Sequence, residues 1–128
     1  MTKESVEPED LLKLKEEGNV ASVESEDPLK LKEEGNVAFK EGNLNLALKC
    51  YSKAIKLTRE DSPEKAVYFK NRAAVYLKLN DYEKAFNDCN SSLDIVPNDP
   101  KALFRRCQAL ENLNRVEEAY RDASSTLF

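Results

Sequence analysis

Histidine is absent from this 128-residue chain. Its absence removes the commonest zinc constellations and the usual general base of nucleophilic catalysis. Only three glycines occur, too few for a Gly-rich phosphate loop, and their scarcity favours helix. Cys50, Cys89 and Cys107 form an odd set without CxxC spacing, so buried free thiols are expected rather than metal ligands or nucleophiles. No apolar run is long enough to span a bilayer, and Met1 to Asp10 is acidic and polar, unlike a basic-then-apolar export signal. These absences together predict a soluble cytoplasmic protein of one domain that is not an enzyme and holds no cofactor or metal.

What the chain does contain is a repeat. Gly35, Ala47 and Ala54 align with Ala73, Ala85 and Ser92 at a spacing of 38 residues, and those with Cys107, Ala119 and Thr126 at 34. The first spacing is longer because Ser62 to Lys65 is inserted between units. A 34-residue period with small residues in register predicts an all-α solenoid of antiparallel helix pairs. Such a stack is a binding surface, so candidate functional residues are sought along one groove.

Before the repeat lies an acidic arm. SVEPEDLLKLKEEGNVA from Ser5 to Ala21 is followed by SVESEDPLKLKEEGNVA from Ser22 to Ala38, differing only at Pro8/Ser25 and Leu11/Pro28. The second copy continues into a partner helix and is assigned to the fold. The first is read as an arm, residues 1–27, with a short helix from about Glu9 to Glu17. Lys15 and Asn19 in the arm copy Lys32 and Asn36 without that partner helix. Up to Asp27 three lysines stand against nine acids, a net charge of −6, whereas the remaining 101 residues carry 17 basic and 15 acidic side chains, or +2. A mildly basic body suggests an anionic partner but lacks the dense Lys/Arg stripe of a nucleic-acid binder. Glu24, Glu26 and Asp27 are candidates to occupy the basic groove in cis.

Asp27-Pro28, Ser62-Pro63 and Asp99-Pro100 each place a side-chain acceptor before a proline, the signature of an N-cap followed by the first helical residue. With turns at Gly42-Asn43, Asn80-Asp81 and Asn114-Arg115, helices are predicted at about 28–41, 44–58, 63–79, 82–95, 100–113 and 116–127. The repeats then run about 28–61, 66–99 and 100–128, within a repeat domain of residues 28–128. Gly35 against Ala47, Ala73 against Ala85 and Cys107 against Ala119 should let paired helices approach closely. Leu31, Phe69, Leu103, Leu44, Tyr82 and Val116 should fill around them. The third unit stops at Phe128 without a covering helix, so the apolar face of Val116, Ala119, Tyr120, Ala123 and Leu127 is expected to leave the end marginally stable and prone to associate.

The other face of the first helices carries Lys32 and Asn36, then Asn71, then Lys101 and Arg105. Spacing of four keeps each pair on one face. Five donors should converge on the concave side, with no acid among them. In these features the chain resembles a tetratricopeptide repeat domain, and the resemblance implies a right-handed superhelix of about three repeats. Lys32, Asn36, Asn71, Lys101 and Arg105 match, one by one, the family's dicarboxylate clamp. The stretches KNRAAVYLKLNDYEKA and PKALFRRCQALENLNRVEEAYRDA resemble the N-terminal domain of the UCS-domain myosin chaperones. That resemblance implies a co-chaperone adaptor for the C-terminal Glu-Glu-Val-Asp tail of the 90-kDa and 70-kDa heat-shock proteins, with myosin as a client served through regions absent from this chain, and with no nucleic acid or membrane as partner. The alternative is a general interaction scaffold that takes an internal peptide in the groove. Phe39 is a candidate for lining the peptide's path and equally a core residue. Lys78 is a second candidate lining residue, and Arg106 is peripheral.

Overall fold

Each first helix starts where an acidic or hydroxyl side chain meets proline. A computed structural model describes residues 23–113, and within them lie α1 (Pro28–Lys40), α2 (Leu44–Leu57), α3 (Pro63–Lys78), α4 (Tyr82–Ile95) and α5 (Pro100–Asn112). Asp27, Ser62 and Asp99 accept backbone N–H bonds from Leu29, Glu64 and Lys101 at 3.0, 3.2 and 3.1 Å. Asn43 and Asp81 cap the second helices through Leu46 N and Lys84 N. These bonds satisfy donors that helix geometry otherwise leaves unpaired. Gly42 and Asn80, at φ of 82° and 60°, make the left-handed turns inside the two pairs. The expected boundaries of these five helices agree with the structure to within one residue. The expected sixth helix, the short arm helix, Lys15 and Asn19, and the exposed C-terminal face all lie outside the described residues.

The helices pack in chain order, each on the next, and α3 also touches α5. No strand occurs among the described residues. Two apolar clusters lie between α1, α2 and α3. Leu31, Ala54 and Tyr68 form one, with Val23, Ile55 and Val67 against them; Ala38, Ala47, Tyr51 and Val75 form the other. Leu31 and Ala47 are wholly shielded from water. Burying a side chain of leucine's size contributes roughly 1.5–3 kcal/mol, which local helix propensity alone does not supply.

Three packing expectations need correction. A Cβ built on Gly35 would lie 2.6 Å from Cε1 of Tyr51, so it is the Tyr51 ring that Gly35 admits, rather than Ala47 alone. Phe69 is half-buried, with the Arg72 guanidinium 5.7 Å from its ring centre, instead of filling the core. Cys50 and Cys89 are buried free thiols as expected, whereas Cys107 is only half-buried. Burial, with Glu34 beside it, pushes the Cys50 thiol up to about 11, which makes it inert as a nucleophile at neutral pH.

Polar links tie the pairs together. Arg72 on α3 donates to both carboxylate oxygens of Asp88 on α4, at 2.7 and 2.8 Å, and to Ser52 Oγ on α2 at 3.0 Å. Asp88 is buried, which raises its carboxyl pKa, and the bidentate pair with Arg72 opposes that rise. Ser92 Oγ donates to the Ala66 carbonyl at 2.8 Å and so joins α4 to α3. The segment before α1 is held on the outside of the fold. Lys53 on α2 donates to Val23 O at 2.9 Å and pairs with Glu26 at 3.0 Å. Glu26 thus pairs with Lys53, and Asp27 caps α1.

Candidate functional site

One face of α1, α3 and α5 closes on a cavity of about 170 Å³. Its walls are Asn36, Phe39 and Lys40 from α1, Tyr51 from α2, Asn71 and Ala74 from α3, and Arg105 from α5. Capping by Asp27, Ser62 and Asp99 sets where each first helix begins, and stacking then brings residues 36, 71 and 105 from three helices to one place. Asn36, Asn71, Arg105 and Phe39 are thus gathered as the sequence suggests. Lys32 and Lys101 lie on the same helices outside the cavity wall, half-buried and exposed respectively. Lys78 is exposed and also outside the wall. Arg106 points elsewhere and donates to Asn90 Oδ1 on α4 at 2.7 Å.

Two residues that pattern reasoning assigned no role here complete the geometry. The Tyr51 hydroxyl donates to Asn36 Oδ1, which leaves the amide N–H₂ as the free end of Asn36. Burial, reinforced by Cys50 and opposed by Arg105, pushes the Tyr51 phenol up to about 12, so the hydroxyl stays a donor at neutral pH. Asp99 is the second. Beyond capping α5 it sits 2.6 Å from Lys70 Nζ, while Arg105 Nη1 donates to the Lys70 carbonyl at 3.2 Å. Burial acts to raise the Asp99 carboxyl, but Lys70 and the amides of Lys101 and Ala102 outweigh it and hold it below its usual value. Asp99 is thus an acid paired with Lys70 outside the cavity wall, and no acid lies in the wall itself. The signal that finds Lys70 is its spacing of 38 from Lys32, the same as Gly35 to Ala73. Asp99 shows in sequence only as a cap.

Arg105 is the cation most affected by its surroundings. Desolvation lowers its pKa, and the negative ends of Cys89, Asp99 and Tyr51 act in the opposite direction. A guanidinium stays protonated through any such shift, so the cavity holds a fixed, partly desolvated positive charge between two amides. That set suits a carboxylate, which needs donors from several directions. A larger crevice of about 470 Å³, lined by Glu60, Asp61, Phe69, Ser91, Asp94 and Ile95, has an acidic rim and does not suit an anion. Among the described residues no group of three or more His, Cys, Asp or Glu could hold a metal, and no helix is long and apolar enough to cross a membrane.

The chain is similar in sequence and fold to known proteins. Protein unc-45 homolog B of Xenopus laevis is 50% identical over 114 residues, 89% of this chain and 10% of the relative. This chain thus spans about a tenth of the length of the unc-45 relatives it matches. The solved structure of the myosin chaperone UNC-45 from C. elegans, in complex with an Hsp90 peptide, is 38% identical with a TM-score of 0.76, over 80% of this chain and 12% of that one. The second repeat domain of Spaghetti (RPAP3), bound to the HSP90 peptide SRMEEVD, is 33% identical with a TM-score of 0.74, over 79% of this chain and 90% of that one. The family profile for the tetratricopeptide repeat matches residues 30–98, and with five helices stacked in the expected register the chain belongs to the tetratricopeptide repeat family.

Proposed function

We propose that this chain is a non-enzymatic co-chaperone adaptor of the cytoplasm that binds the free C-terminal Glu-Glu-Val-Asp tail of heat-shock protein 90 or 70. Lys32, Asn36, Asn71, Lys101 and Arg105 act as its dicarboxylate clamp. The observation that carries this reading is the convergence of Asn36, Asn71 and Arg105 from three helices on one cavity. The HSP90 peptides held by the RPAP3 and UNC-45 structures support it. A C-terminal aspartate presents two carboxylates a few ångströms apart. The two amides and Arg105 receive one inside the cavity, and Lys32 and Lys101 stand at its edge to attract the rest. Charge-assisted hydrogen bonds contribute roughly 1.5–3 kcal/mol each before desolvation and ordering. Ordering a flexible tail offsets much of that, so affinity near micromolar, about −8 kcal/mol, is expected.

Titration with a peptide ending in Glu-Glu-Val-Asp, as free acid and as C-terminal amide, tests the proposal. Binding of the acid and loss on amidation is the expected result. Equal binding of both forms would favour a groove that takes an internal peptide. The likeness to a myosin chaperone supports myosin as the client served, through regions outside this chain. Its test is the yield of folded myosin motor in a reconstituted chaperone reaction, which free tail peptide should lower.

A further inference from the structure

Two lysines hold the same place in successive repeats and are treated differently. Lys32 and Lys70 each lie three residues before the small packing residue of their helix, Gly35 and Ala73. Lys32 has no ion-pair partner among the described residues. Lys70 has Nζ 2.6 Å from Asp99 Oδ2, with the two side chains only 16% and 15% exposed. Asp99 in turn caps the helix that carries Lys101 and Arg105, and Arg105 reaches back to the Lys70 carbonyl. A short, shielded contact of this kind holds both partners in place, unlike a solvated surface pair.

From this we infer that Asp99 determines specificity: its carboxylate keeps Lys70 occupied and so withholds a further cation from a groove that already has Lys32, Lys40, Lys101 and Arg105. The inference rests on the dicarboxylate reading and adds to it how many acidic groups the groove accepts. With Asp99 ionised, the terminal aspartate is served by the clamp while acidic side chains upstream of it find Lys70 already neutralised. Without that charge, Lys70 is free for an upstream glutamate.

Asparagine caps a helix as well as aspartate does, so Asp99→Asn removes the charge and keeps the cap. The full chain and this variant are titrated with two peptides that end in a free aspartate, one with Glu-Glu and one with Gln-Gln before Val-Asp. Asp99→Asn should tighten the Glu-Glu peptide by about fivefold, the effect of one partly shielded charge contact, and leave the Gln-Gln peptide nearly unchanged. Lys70→Met in the Asp99→Asn background should return the Glu-Glu to Gln-Gln ratio to that of the original chain. Asp99→Ser, a second neutral cap, should reproduce the rise. An unchanged ratio in both neutral variants overturns the inference, and so does a gain that survives Lys70→Met. Failure of the original chain to bind either peptide counts against the dicarboxylate reading. In that case binding of the Glu-Glu peptide by Asp99→Asn would still support the inference, and its absence would overturn both.

Discussion

The Tyr51 hydroxyl on α2 donates to Oδ1 of Asn36 on α1, fifteen residues away in sequence, and so decides which end of the Asn36 amide meets the cavity. A carboxylate ligand needs the N–H₂ end. Tyr51 is 2% exposed, so its ring is held in place by the surrounding core.

Tyr51→Phe keeps the ring and removes only the hydroxyl. One neutral hydrogen bond contributes about 1 kcal/mol, so calorimetry should show tail-peptide affinity reduced about fivefold, with a melting temperature close to the original. Equal affinity in the variant would show that the Asn36 amide finds its orientation without Tyr51.

Gly35→Ala places a methyl 2.6 Å from the same ring, closer than such contacts allow, so the buried ring must shift. Overpacking of this kind costs about 1–3 kcal/mol, which urea denaturation should detect. Tail affinity should fall as well, because a displaced Tyr51 no longer orients Asn36. Gly42→Ala has nothing within 4 Å of the new methyl and instead strains a backbone at φ +82°, so it should cost stability without affecting affinity.

Charge reversal on α5 should separate binding from folding. Lys101 is exposed, and Lys101→Glu should weaken tail binding at least tenfold with no change in helix content or melting. Arg105 is half-buried and hydrogen-bonded to the Lys70 carbonyl, so Arg105→Glu should abolish binding and also lower the melting temperature. Both losses should shrink as salt rises. Undiminished binding in Lys101→Glu and Arg105→Glu alike would remove the clamp.

Acid should loosen the joint between α3 and α5. The folded pKa of Asp99 lies below its unfolded value, near 3.8, so its contribution is present above that value and is lost as pH falls through the folded pKa. Urea titrations from pH 6 downward should show the original chain losing stability below about pH 4 faster than Asp99→Asn. Lys70→Met should flatten the difference, since Lys70 is the chief group holding the carboxyl ionised.

Much of this fold is legible from punctuation. Asp27-Pro28, Ser62-Pro63 and Asp99-Pro100 start their helices where a cap and a fixed φ demand, and Asn80 takes the left-handed turn its position suggests. The groove residues follow because a repeat of fixed period carries one face through every unit. Contacts between side chains of different helices are less accessible. Residues 36 and 51 belong to different periodic sets, so nothing in either pattern announces their hydrogen bond. Asp99 was hidden by its own clarity, since a capping role explains its presence before Pro100 and leaves no reason to look for Lys70. Phe69 departs from the core because the Arg72 guanidinium lies over its ring.

The three-way contact of Arg72 with Ser52 and Asp88 has a mechanical consequence. A solenoid of helix pairs is an elastic coil whose pitch changes when neighbouring pairs slide, and its softest joint sets how far the coil opens under load. Arg72 ties α2, α3 and α4 together with bonds of 2.7 to 3.0 Å, so sliding of the first pair past the second would have to break them. α5 is tied to those pairs by Lys70 to Asp99, by Arg105 to the Lys70 carbonyl and by Arg106 to Asn90. A force drawn along the coil would load these polar contacts at both junctions.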